Sequence, residues 1–128
     1  MRSERRLRRL VVDGGVHRWS VRHRHAADGP CQEVLTLYRE GARTLVVFRA
    51  GPGRVVEGAY WHSGLVGDEH GNTVNLHRPG VVRAFVDELR ERAWPGAELD
   101  GWELLPAVAV RCAAAATPGV PPDCPPGP

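Results

Sequence analysis

The chain has 128 residues, 42% of them apolar and 25% charged, with a net charge of +2. This is enough for one domain whose core needs neither disulfides nor a structural metal, and too apolar for a chain disordered throughout. The longest apolar stretch, residues 107–110 and 113–116, is broken by Arg111, far short of the ~20 residues of a membrane-spanning helix, so the sequence offers no membrane partner.

Residues 1–6 (MRSERR) read as a mobile basic arm, followed by a single globular domain over residues 7–112. Residues 7–13 form a first strand, Gly14-Gly15 a turn, and residues 16–25 (VHRWSVRHRH) the returning strand. Side chains alternate along this second strand. Trp19 and Val21 mark the core side, and Arg18, Arg22 and Arg24 share the wet side. After an Asp-Gly-Pro loop, residues 33–39 form a third strand; Glu40-Gly41-Ala42 turns it into a fourth, residues 43–50. Short turns join antiparallel neighbours, so the four make a meander. Residues 51–72 are Gly-rich, with a short strand expected over residues 54–60 and another over residues 73–76.

Pro79 opens a helix that runs to Ala93. Val81, Val82, Phe85, Val86 and Leu89 recur at three- and four-residue steps, and Glu88 is spaced to pair with Arg92. Pro95 and Gly96 end it. Residues 99–110 contain a turn and an apolar run that reads as a last strand. From residue 113 the Ala/Pro-rich chain reads as a disordered tail, with six of the eleven prolines in residues 117–128. The predicted fold is α+β: an antiparallel sheet of four to six strands with one amphipathic helix packed on a face. Its core comprises Leu10, Val12, Trp19, Val21, Leu35, Leu37, Leu45, Val47, Val81, Phe85, Val86 and Leu89; Val34, Val46 and Phe48 fall on the opposite strand faces.

All 17 basic residues are Arg, and the chain has no Lys and no Ile. Arg is encoded by G/C-rich codons and Lys and Ile by A/T-rich ones, so Arg abundance is partly compositional and its basic signal is discounted. Charge is nonetheless uneven: residues 1–24 hold eight Arg against two acids, and residues 25–128 hold nine Arg against thirteen acids. The cysteines, Cys31, Cys112 and Cys124, match no zinc spacing and form no paired set. Together with the absence of a secretion signal, this suggests a cytoplasmic protein.

Three groups of residues could carry function. The basic hairpin, with Arg8, Arg9, Arg18, Arg22 and Arg24, could track the phosphates of a nucleic acid. Trp19 lies on the opposite face, so no stacking platform is evident. His23 and His25 share a strand face and could bind a metal together with His62, Asp68, His70 or His77; the plainer reading is a polar strand end. The loop over residues 51–71 contains Arg54, Tyr60, Trp61, His62 and His70. Its Gly51-Pro52-Gly53-Arg54 start could cradle an anion, but it lacks the ending of a phosphate-binding loop. The plainer reading is a connection whose Trp61 caps the core. No motif names a cofactor or a nucleophile. The sequence thus favours a non-catalytic module for nucleic acid or a protein partner over a small enzyme or metal-binding domain.

VRHRH (residues 21–25), FRAGPGR (residues 48–54) and VNLHRPGVVRAFVDE (residues 74–88) resemble segments of short bacterial proteins of unknown function from high-G+C genomes. The resemblance covers about residues 7–104 and implies a single domain. It implies no activity, cofactor or partner.

Overall fold

The computed structural model describes residues 7–24, 29–57 and 64–115. The fold is α+β, as the patterning predicts. Strands β1 (Arg8–Val12), β2 (Gly15–Arg24), β3 (Gln32–Arg39) and β4 (Ala42–Arg49) form the antiparallel meander. Strands β5 (Val55–Glu57), β6 (Leu65–Gly67) and β7 (Thr73–Asn75) form a separate three-stranded antiparallel sheet, and α1 (Pro79–Glu91) follows. Strand β8 (Glu98–Asp100) then joins the large sheet parallel to β4 and leads directly into α2 (Gly101–Ala115). The large sheet is therefore mixed, in the order β1-β2-β3-β4-β8. Its parallel edge is possible because β5, β6, β7 and α1 supply the long crossover that a parallel pair needs.

Two-residue turns set the meander's register. Asp13 and Gly14 have φ of 50° and 82°, and Glu40 and Gly41 have 48° and 81°. Paired left-handed residues match the twist of the flanking strands. The turns are thus Asp13-Gly14 and Glu40-Gly41, one residue away from Gly14-Gly15 and one residue shorter than Glu40-Gly41-Ala42. The shorter second turn pairs Leu35 with Val46 and Leu37 with Thr44. Val46 and Phe48 therefore face the core, and Leu45 and Val47 lie on the other face with Val34, which reverses the predicted phase of β4. A one-residue change in register exchanges the two faces of a strand.

The inner face of the large sheet, both helices and the small sheet share one core, which includes Trp19, Leu35, Phe48, Val66, Leu76, Phe85 and Leu105. Phe48 is central: its ring meets Phe85 edge-on at 5.9 Å and Trp102 edge-on at 5.1 Å.

Helix α2 replaces the strand expected in this region. Asp100 caps it by accepting a hydrogen bond from the Trp102 amide, with Glu103 in the first turn. Leu104, Leu105, Val108 and Cys112 then recur at helical spacing and are buried. Cys112 is disulfide-bonded, correcting the expectation that the cysteines are unpaired. The predicted arm, residues 1–6, and residues 116–128 of the predicted tail lie outside the described residues, while residues 113–115 close α2.

A buried carboxylate joins the two helices. Glu88 is 7% exposed and accepts hydrogen bonds from Arg92 at 2.6 Å and Arg111 at 3.0 Å. Burial alone would raise its pKa, but the bonds and charges of Arg92 and Arg111 outweigh burial and hold it below the ordinary glutamate range. The folded state thus binds this proton less readily than the unfolded state. The resulting stability is fully present above the ordinary value of about 4.3 and is lost as pH falls through the lower folded value. Urea melts from pH 7 down to pH 3 should show a steeper acid loss for the native chain than for Glu88→Gln; equal slopes would refute this.

Candidate nucleic-acid interface

Strand alternation sends one set of side chains to the core and the other to the outer face of the large sheet. On β1 to β4 the outer set includes Arg9, Arg18, Arg22, Arg24, Arg43 and Arg49, and no acid. The acids of this face, Glu98 and Asp100, lie on edge strand β8. Arg9, Arg18, Arg22, Arg43 and Arg49 are exposed, and Arg24 is half-buried, donating to Gln32 Oε1 at 2.8 Å. The middle of the face, at Ser20, Val34, Thr36 and Val47, is buried, so the guanidinium groups rim a close-packed centre.

One line of this surface crosses four strands in register. Arg9 of β1 pairs with Arg18 of β2, Arg18 with Tyr38 of β3, and Tyr38 with Arg43 of β4. Tyr38 is half-buried and is the one aromatic residue among the described outer positions of β1 to β4. Exposed Val11 and Val16, a cross-strand pair, flank the line on the turn side.

The helical arginines behave differently. Arg83 pairs with Asp87, Arg90 with Asp13, Arg92 with Glu88, and Arg111 with Glu88 and Glu91. Arg9, Arg18, Arg43 and Arg49 have no carboxylate within ion-pair distance among the described residues. Codon composition could account for the number of arginines but not for the gathering of six of them on one sheet face to which β1 to β4 contribute no acid.

Arg8 does not belong to the surface, which corrects its grouping with Arg9. It lies on the inner side of β1, where its guanidinium sits 4.6 Å from the centre of the Trp19 ring and Nη1 donates to the His77 carbonyl. It ties the edge strand to the turn between β7 and α1.

Comparison with protein-family models, curated proteins and solved structures finds no match.

The other candidate residues are arranged as follows. His23 faces inward, its Nδ1 2.7 Å from Glu33 Oε1, with the two side chains 9% and 2% exposed. His25 lies outside the described residues. Among the described residues no three His, Cys, Asp or Glu side chains group as a metal site would require. Asp68 instead closes the β6–β7 turn, accepting from the amides of His70 and Asn72 and from Asn72 Nδ2.

Tyr60, Trp61 and His62 also lie outside the described residues. Arg54 rests over the Trp102 ring at 5.5 Å, at the rim of a 220 Å³ concavity that Arg49, Glu98 and Asp100 also line. The Gly51 and Arg54 amides each donate to the other's carbonyl, so neither is turned toward an anion. His70 is exposed on the β6–β7 turn, next to Glu69, which packs against Gly53. Among the described residues no helix is long and apolar enough to cross a membrane.

The sequence reading missed Tyr38, Arg43 and Arg49. Alternation gives each residue a face within its own strand, but only the register across strands brings them beside Arg18 and Arg24.

Proposed function

We propose that the chain is a non-catalytic nucleic-acid-binding module that contacts phosphates with the outer face of its large sheet. The observation that carries this reading is the segregation of charge: six arginines rim one face of β1 to β4, to which these strands contribute no acid. Arg is suited to phosphate because its planar donors engage two oxygens at once. Glu98 and Asp100 bound the surface at β8 and would repel a polyanion beyond that edge. A cytoplasmic setting, where nucleic acid is abundant, fits the reading.

The test is a fluorescence-anisotropy titration of labelled single-stranded and duplex oligonucleotides, at low and at physiological salt. Binding should weaken steeply with salt, because each neutralised phosphate releases counterions. The triple variant Arg9→Ser, Arg18→Ser and Arg43→Ser should bind more weakly at low salt. Its plot of log affinity against log salt should be shallower by about 2, since each phosphate neutralised on a single strand adds roughly 0.7 to the slope. If neither oligonucleotide binds at low salt, the reading is wrong.

A further inference from the structure

The arrangement of Tyr38 deepens the proposed function and depends on it: we infer that the ligand is single-stranded, and that one of its bases stacks on Tyr38 while neighbouring phosphates lie on Arg18 and Arg43. The register gives the order Arg9–Arg18–Tyr38–Arg43 across four adjacent strands. Strands lie about 4.8 Å apart, so this line is roughly 14 Å long, a length suited to about two or three nucleotides. It puts an aromatic ring between two cations, as a short stretch of single strand requires, with a flat base face beside its phosphates.

A duplex cannot use this arrangement. Its base faces are stacked on one another, and a line of arginines across a sheet meets only its backbone. Tyr38 would then be an interruption in a line of phosphate-binding groups. A single strand can turn a base outward onto the ring, and stacking on an aromatic side chain tolerates any base because every base has a π face. Ser20, Thr36 and Leu45 lie in the next outer row, and Val11 and Val16 flank the other side. These small or apolar neighbours leave the ring as the one broad stacking surface in the line. The sheet should therefore read little sequence and should distinguish strandedness.

The test measures the full chain and two variants, Tyr38→Phe and Tyr38→Ala, against a labelled single strand of mixed sequence and the duplex of that sequence. Each protein's folding is checked by thermal melt. The native chain should bind the single strand more tightly than the duplex. Tyr38→Phe keeps the ring and should bind the single strand more tightly than Tyr38→Ala does. Tyr38→Ala should bind the single strand about ten- to a hundredfold more weakly, with an unchanged salt slope because the arginines that hold the phosphates are all still present. Duplex binding should not respond to either variant. Equal affinity for both forms with no effect of Tyr38→Ala overturns the inference while leaving the phosphate-binding reading in place. Absence of binding to either form overturns both.

Discussion

Replacing Phe48 by Ala is expected to cost about 3–5 kcal/mol of stability, the largest single loss foreseen for this fold. Phe48 is fully buried and holds three layers together: its ring lies on the sheet, meets Phe85 of α1 and meets Trp102 of α2. Gly101 lies so near that a Cβ there would be 2.4–2.6 Å from three carbons of the ring. The first residue of α2 is glycine because the aromatic ring already fills the space for a side chain. Gly101→Ala should therefore destabilise the native chain by about 1–3 kcal/mol. With the ring removed the same substitution should become nearly neutral, since alanine suits a helix better than glycine does. A double-mutant cycle read by urea denaturation checks the pair, and coupling energies between touching residues run to about 3 kcal/mol. If the two losses simply add, the packing account of Gly101 is wrong.

Loss of the Glu33 carboxylate should be the next most damaging change. Its side chain is 2% exposed and faces inward on β3, across from His23 on β2 and Phe48 on β4. Buried polar groups in such a place are tolerated only when hydrogen-bonded, and His23 Nδ1 lies 2.7 Å away. Glu33→Ala removes one side of that pair and opens a void beside the imidazole, at an expected cost of about 1–3 kcal/mol. Glu33→Gln keeps the shape and one oxygen and should cost distinctly less. Replacing both residues with apolar side chains of similar size should recover much of the loss, because the penalty comes from a buried polar group that loses this hydrogen bond. A Glu33→Ala stability within about 1 kcal/mol of the native chain would show that the pair contributes little.

The sequence makes the meander and α1 readable because their patterns are strong. The β2 strand alternates cleanly, and the α1 stripe keeps helical spacing from Val81 to Leu89. Strand β4 is ambiguous for a definite reason: both of its alternating sets, Leu45 with Val47 and Val46 with Phe48, are apolar. Alternation then identifies a strand but not which side faces the core, and the choice falls to a turn that is two residues long rather than three. Helix α2 is obscured by Pro106, which sits inside it and disfavours helix. Asp100 followed by Glu103 is the start signal that could have revealed it. The arginines of β2 are visible from one strand's alternation, whereas Tyr38, Arg43 and Arg49 come to the same surface only through pairing, which no local pattern encodes.

The two borders of the large sheet have a consequence for solubility. Among the described residues nothing pairs with the far side of β1, and β8 is only three residues long. An open strand edge is a template onto which another chain can add, the first step of aggregation. At β8 such a template is too short to hold a partner well, and its Glu98 and Asp100 discourage like-charged company. At β1, Arg8 and Arg9 put two cations on a strand that otherwise reads Leu-Val-Val. A second copy approaching in register would bring guanidinium groups against guanidinium groups. Whatever they bind, these arginines also act as gatekeepers that keep a sticky strand from recruiting its own kind.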